Sequence, residues 1–316
     1  MRPLELDGIV PVIPTPFARG GALDLEQLAG LVEFAIAAGA SAICLPAYAS
    51  EYYKLSETER LRVAACAVES ARGRTPVIGQ ANNYSAAAAA EHAVRLEELG
   101  ASAICTAVPR LFPLDEDDLA RHFEVLLGAM SSTLVIQDFN PGGPSLSAPF
   151  IARLHRAFPH FRYVKLEEPR MASKVRQIRD ATGGGVGVIE GWGGMYIMEL
   201  VEEGAAAVMP GLALADLLNV VFRRLQRGSK REAFAIFQRV LPQIVYSLQS
   251  MEFFHHAEKR LLAARGVLRD PEVRETTVAL QASETAHIEF LNTEVLALLD
   301  QLDMPRNPAA ARAARP

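Results

Sequence analysis

Eight times in its first two-thirds, this 316-residue chain sets a strand-length apolar run before a helix-length amphipathic segment. Runs at 8–13, 41–45, 76–80 and 102–106 precede expected helices at 24–38, 56–72, 85–99 and 115–130. Runs at 133–137, 161–167, 186–190 and 206–209 precede expected helices at 147–157, 172–180, 195–203 and 213–226. Near-continuous apolar strands alternating with helices indicate a parallel sheet covered on its faces. Eight such units favour closure into a (β/α)8 TIM barrel over an open doubly wound sheet.

An internal echo supports the period. Gly39-Ala-Ser-Ala-Ile-Cys44 and Gly100-Ala-Ser-Ala-Ile-Cys105 match residue for residue, and Gly204-Ala-Ala-Ala-Val208 is a looser copy. Each glycine falls where a helix must stop in left-handed geometry before the next strand. Gly183-Gly-Gly-Val-Gly187 precedes the seventh strand, on the face away from a barrel's chemistry, and reads as a turn. Beyond Gly228 only helical patterns follow, at 230–248, 251–264 and 282–302. The expected organisation is a barrel over 1–228, a C-terminal helical extension over 229–304 and a frayed Ala/Arg/Pro-rich tail over 305–316.

Composition narrows the partners. The formal charge of −5, from 32 basic and 37 acidic residues spread along the chain, offers no stripe for a phosphate backbone, so nucleic acid is not expected. Cys44, Cys66 and Cys105 are odd in number and set in apolar surroundings, which reads as free thiols in a reducing compartment. The N-terminus lacks a signal peptide's apolar core, and no apolar run reaches membrane-spanning length. A cytoplasmic protein without membrane contact is expected. No metal-ligand pair of the His-x-His or His-Glu-x-x-His kind and no Walker-type phosphate loop occurs, so neither metal nor cofactor is expected.

The chemistry points to Phe161-Arg-Tyr-Val-Lys165-Leu-Glu167. With the two-residue period of a strand, Tyr163, Lys165 and Glu167 share one side. Taken alone, such a lysine can pack its stem and send its head to water. At the carboxyl end of a sixth barrel strand it stands where these folds hold their catalytic groups. Desolvation there is expected to lower its pKa and make it a nucleophile suited to a Schiff base with a carbonyl substrate.

Thr15-Pro-Phe17 after the first strand, Glu51 with Leu55-Ser56 after the second, Lys165 on the sixth, and Gly204-Ala with Pro210-Gly211 around the eighth resemble the dihydrodipicolinate synthase / N-acetylneuraminate lyase family. The likeness runs from about Gly8 to about Arg274 and includes Lys259-Arg260 and Arg265-Gly266. It implies a class I aldolase-type barrel, a homo-oligomer (dimer or tetramer), in which Lys165 condenses with a 2-keto acid such as pyruvate. The site departs from the family's pattern. Ala47-Tyr48-Ala49-Ser50-Glu51 stands where Gly-Thr-Thr-Gly-Glu is common, and Gln137 stands where a tyrosine relays protons over the imine. The neighbour-subunit tyrosine falls near Leu111, and the arginine that follows an Asn-Pro turn is missing from 142–147.

The resulting candidates are Lys165 as nucleophile, with Tyr48, Gln137 and Glu167 around it. Tyr48 is either a donor or proton shuttle in the mouth, or a packed aromatic. Glu167 either steers protons at the imine or only pairs with the lysine. Ala49 and Ser50 are candidate carboxylate holders through backbone N–H groups and the Ser50 hydroxyl. Asn140, beside Gln137 and Asp138, offers polar contacts to a hydroxylated substrate, and Trp192 and Gly193, which follow Glu190 at the close of the seventh strand, shape the pocket. The leading expectation is a Schiff-base lyase, an aldolase or a dehydratase acting on pyruvate or a 2-keto-3-deoxy acid. A barrel that only senses a keto acid is the alternative, and a dihydrodipicolinate synthase with an altered site is a weaker one.

Overall fold

The computed structural model describes residues 4–140 and 145–314. Eight parallel strands form one sheet: β1 (Gly8–Ile9), β2 (Ile43–Leu45), β3 (Val77–Gln80), β4 (Ala103–Ala107), β5 (Thr133–Phe139), β6 (Phe161–Glu167), β7 (Gly187–Glu190) and β8 (Ala207–Val208). The ladder runs in order from β2 to β8 and then to β1. A parallel bridge between Val12 and Cys44 joins β2 to the segment after β1, which closes the ring. The first run, expected over 8–13, is regular over two residues only. Pro11 has no N–H to donate, so the ladder continues past it as single bonds, from Val12 N–H to the Pro210 carbonyl and from Ile13 N–H to the Cys44 carbonyl.

Helices α1 (Leu25–Ala37), α2 (Glu57–Ala71), α3 (Ala86–Glu98), α4 (Glu116–Ala129), α5 (Ala148–Ala157), α6 (Met171–Thr182), α7 (Ile197–Glu202) and α8 (Ala215–Gln226) follow the strands in turn. Five start where sequence chemistry places a cap. Asp24, Ser56, Ser85, Asp115 and Ser147 each accept a backbone N–H of the first turn through their side chains. The three echoed glycines end helices with positive φ, Gly39 at 80°, Gly100 at 96° and Gly204 at 91°. Gly183 caps α6 in the same way, so the glycine-rich stretch before β7 is a turn.

Helices α9 (Lys230–Ser247), α10 (Met251–Ala264) and α11 (Ala282–Gln301) follow. Ile236, Val240, Leu261, Leu262 and Val295 from these helices share one core cluster with α1 and α8, so the extension is packed into the barrel's outer wall. The tail departs from the expectation of fraying. Asn307 accepts the N–H groups of Ala309 and Ala310 and starts α12 (Pro308–Ala313), which packs on α1. Proline at the first helical position costs nothing there, and alanine is the best helix former, so the composition read as loose suits a capped helix. Arg315 and Pro316 lie outside the described residues.

Inside the ring, Val10, Cys44, Ile78, Cys105, Val135, Tyr163, Ile189 and Met209 fill the barrel. Tyr163 shares the inward side with Lys165 but closes the opposite end of the strand, where its hydroxyl accepts the Leu6 N–H and donates to the Leu4 carbonyl.

Candidate active site

The inward residues that end β3, β5 and β6 form one connected polar chain. The Lys165 ammonium lies 2.8 Å from Oε1 of Glu167. Gln137, directly beside Lys165 in the β5–β6 register, donates to the same oxygen at 2.8 Å. Gln80 donates to Oε1 of Gln137 at 3.0 Å. All four side chains are buried. Glu167 is held closely: a Cβ on Gly191 would stand 2.5 Å from its Cγ, so the glycine after β7 makes room for this carboxylate.

Protonation departs from the expectation of a lowered lysine pKa. Burial does work against the ammonium, but the adjacent Glu167 carboxylate outweighs it and holds the Lys165 pKa above its ordinary value. Lys165 and Glu167 are thus paired at rest, and Glu167 is the carboxylate in direct contact with the ammonium. Cys44 and Cys105 stand together in the barrel core, where their mutual influence draws the Cys44 thiol down and pushes Cys105 well up.

A second buried acid stands at the end of β7. Glu190 accepts the N–H groups of Trp192 (3.1 Å), Gly194 (2.8 Å) and Tyr196 (3.4 Å) and so folds the loop after the strand. Burial pushes its carboxyl up to about 7, against these bonds and the field of Lys165. Trp192 packs at 5.9 Å from the Tyr196 ring, and its indole N–H is buried without an acceptor among the described residues. Gly193 has φ 67° and faces Leu248, which a Cβ would meet at 2.9 Å. It shapes the loop by being small.

The loop after β2 contains two short 3-10 turns, Tyr48–Ser50 and Tyr52–Lys54. Tyr48 is half-buried, with its ring edge-on to Tyr52 at 5.0 Å. Burial, then Tyr52, then more distant charges including Glu167 push its phenol well above the usual range, so it can donate a hydrogen bond but is no base. Ser50 is turned away from the mouth: its hydroxyl donates to the Ile13 carbonyl at 2.6 Å and its N–H to the Ala47 carbonyl at 2.9 Å. Ala49 lies at the middle of the same turn. Asp138, one residue after Gln137, points to the other side of β5, where it pairs with Arg110 at 2.5 Å and accepts the Leu146 N–H. Asn140 joins β6 through its N–H to the Glu167 carbonyl, 3.3 Å. The segment Pro141–Pro144, where the family's arginine would follow, lies outside the described residues. No group of three or more His, Cys, Asp or Glu among the described residues is placed to hold a metal ion.

The profile of the dihydrodipicolinate synthetase family matches residues 5–294. The chain belongs to this family. Its curated relatives include an L-2-keto-3-deoxyarabonate dehydratase of Azospirillum brasilense, 29% identical over 303 residues, covering 94% of each chain. A 4-hydroxy-tetrahydrodipicolinate synthase of Chelativorans sp. is 26% identical over 270 residues, covering 84% of this chain and 92% of its own. Among solved structures, a putative dihydrodipicolinate synthetase from Pseudomonas aeruginosa superposes with a TM-score of 0.82 at 24% identity, covering 92% of this chain and 99% of that one. The synthase of Methylacidiphilum fumariolicum gives 0.86 at 19% identity, with 95% and 99% covered. At such identities the superpositions establish the shared TIM-barrel fold of the family.

Two features of this family member were not picked out from the sequence. Gln80 ends β3 as the first link of the amide chain, and its signal was the one Gln137 also carries, an amide closing an apolar strand at the barrel's active end. The other is a second buried lysine pair, in which Lys259 donates to Oε1 of Glu51 at 2.5 Å and to the Glu272 carbonyl at 2.7 Å.

Proposed function

We propose that this protein is a dehydratase of a 2-keto-3-deoxy sugar acid, working through an imine on Lys165 with Glu167 as its proton carrier. The single observation that carries the reading is the contact of Lys165 and Gln137 with the same oxygen of a buried glutamate, which supplies a titratable group where the family's tyrosine relay is absent. The dehydratase relative, matched along 94% of both chains, supports elimination over condensation.

The steps balance on these residues. Lys165 gives a proton to Glu167 across 2.8 Å and adds to the C2 carbonyl. Glu167 returns that proton to the carbinolamine hydroxyl, which leaves as water and forms the iminium. The iminium draws electrons from C3, and Glu167, again a carboxylate, takes a C3 proton to give the enamine. When the electron pair returns, the C4 hydroxyl leaves as water with that proton, and hydrolysis of the imine frees Lys165. Gln137, donating to the oxygen that cycles, fixes the carboxylate's orientation through both transfers. Tyr48, Ala49 and Asn140 are proposed as donors along the mouth, and Trp192 and Gly193 as its far wall. We assign Ser50 to holding the turn.

Borohydride added with pyruvate should leave a stable mass increment on the peptide containing Lys165. A 2-keto-3-deoxy pentonate should lose one water, read by mass spectrometry. Lys165→Ala should abolish both, and trapping without dehydration across a panel of such acids would leave a keto-acid binder instead. We also propose a cytoplasmic homo-oligomer, dimer or tetramer. The exposed Leu111, Phe112 and Leu114 after β4 form the apolar surface that supports this, and a monomer in sedimentation equilibrium would refute it. No helix among the described residues is long and apolar enough to cross a membrane.

A further inference from the structure

The amide chain ends on an atom without a partner, and its orientation is fixed by chemistry. A carboxylate only accepts, so Gln137 must turn its NH2 to Glu167 and its oxygen to Gln80. Gln80 must then turn its own NH2 to that oxygen. Its Oε1 is the group left over, and it has no hydrogen-bond donor among the described residues although the side chain is only 2% exposed. A second amide shows the complementary defect. Oδ1 of Asn82 accepts the Ala107 N–H at 2.7 Å, which fixes that flip too, and leaves Nδ2 buried without an acceptor. Between them, Ala81 lies in the outer core under the helices, so Gln80 and Asn82 share the inward side of the chain at the end of β3. Ala107, which Asn82 bonds, is the register partner of Gln137.

Buried amide atoms without partners carry a desolvation cost that a ligand's polar groups relieve. Here one free acceptor and one free donor stand two residues apart, on the sector of the rim that carries the Lys165 chain. A hydroxyl both donates and accepts, so it is the group that matches this pair. We propose that Gln80 and Asn82 form a subsite for the hydroxyl groups on the distal carbons of the substrate, making them specificity-determining residues for a polyhydroxylated acid. Identifying that acid as a 2-keto acid held by Lys165 rests on the imine reading above; the subsite itself does not.

Asn82→Asp keeps the oxygen that accepts from the Ala107 N–H, exchanges the free donor for an acceptor and adds a negative charge; Asn82→Leu removes the donor without adding charge. Gln80→Met removes the free acceptor at nearly constant shape and also the donor to Gln137 Oε1, a loss that the pyruvate-trapping half of the ratio below registers separately. Two measurements separate the subsite from the imine. The first is binding of a five-carbon aldonate, which carries the hydroxyls but has no carbonyl to condense, by calorimetry on the full chain. Each variant should weaken it roughly 3- to 10-fold. The second is the ratio of KM for a 2-keto-3-deoxy pentonate to the pyruvate concentration that half-saturates borohydride trapping, which should rise by a similar factor. Aldonate binding lost in the variants while the wild type traps no pyruvate would keep the subsite and overturn the imine. A trapped imine with aldonate binding absent from the wild type, or unchanged in all the variants, would overturn the subsite. A ratio that stays fixed because both ligands weaken equally would also overturn it, since that is the mark of a structural role.

Discussion

Lys165 and Lys259 are both buried against glutamates, and their settings push them in opposite directions. Lys165 touches Glu167 at 2.8 Å and is held above its ordinary pKa. Lys259 touches Glu51 at 2.5 Å, yet burial dominates and lowers it to about 8. A search for a reactive amine by pKa alone would choose Lys259. Its surroundings argue otherwise: its donors go to Glu51 and the Glu272 carbonyl, and its charge lies 4.5 Å from the centre of the Phe17 ring. Arg274 covers the same ring at 4.3 Å and sends its N–H to the other oxygen of Glu51. Lys259 is thus the centre of a clamp that fixes the loop after β2 to the C-terminal helices. Lys165 stands at a strand end on the active face, beside a carboxylate able to take its proton. Position and an available acceptor, more than a low resting pKa, are what support Lys165 as the proposed nucleophile.

The sharpest way to break this contrast is to remove each amine. Lys165→Ala should eliminate imine trapping and reduce dehydration to background, with the fold kept. Lys259→Ala should retain trapping at Lys165 but lose about 1.5–3 kcal/mol of stability, the worth of a hydrogen bond to a charged group, because buried Glu51 loses one of its two ion-pair partners and keeps Lys54 at 3.1 Å. Denaturant titration gives the second number. If Lys259→Ala abolishes trapping while its folded fraction stays high, the assignment of roles is wrong.

The acids give the next largest effect. Glu167→Gln keeps a side chain of the same shape but cannot carry protons, and it should lower the dehydration rate by roughly 10²- to 10⁴-fold. Glu51→Gln should act mainly on stability, with kcat at a temperature well below unfolding within about tenfold of wild type. Rapid-quench assays at matched folded fractions make the comparison. Equal rate losses would mean that Glu167 is only a charge partner.

How much of this was legible beforehand differs between the two sites. Eight strand–helix units and the place of Lys165 followed from a period and from the active end of a barrel. The helix starts expected at 56, 85 and 147 coincide with serine caps in the structure. The direction of the Lys165 shift was not legible, since desolvation and the Glu167 charge oppose one another and only contact decides between them. The Glu51–Lys259 clamp joins residues 208 positions apart. Each was visible as a motif residue, but pairing at that separation is a property of the closed fold. In the tail the Ala/Arg/Pro composition suggests fraying, while the local capping signal, Asn307 before Pro308, sets a helix.

The smallest effect tests the fields around the two amines. Glu190, which feels Lys165, and Glu258, next to Lys259 in the chain, are each pushed by burial from an ordinary 4.5 up to about 7. A carboxyl whose folded pKa is raised binds its proton more tightly in the folded state. Its contribution to stability is complete below about pH 4.5 and is lost as pH rises through about 7. These two acids should therefore pull the melting temperature down across that window, against buried His255, which desolvation lowers to about 4 and whose contribution rises with pH there, and Glu258→Gln should reduce the downward part. The cations acting on the two acids differ: Lys165 lowers Glu190, whereas Arg265 is the cation that acts on Glu258. Lys165→Ala should thus move the Glu190 transition to higher pH, while Lys259→Ala should leave that of Glu258 in place. Carboxyl titration by isotope-edited infrared or NMR measures both. A Glu190 transition that does not move when the Lys165 charge is removed would show that the ion pair with Glu167 already screens it.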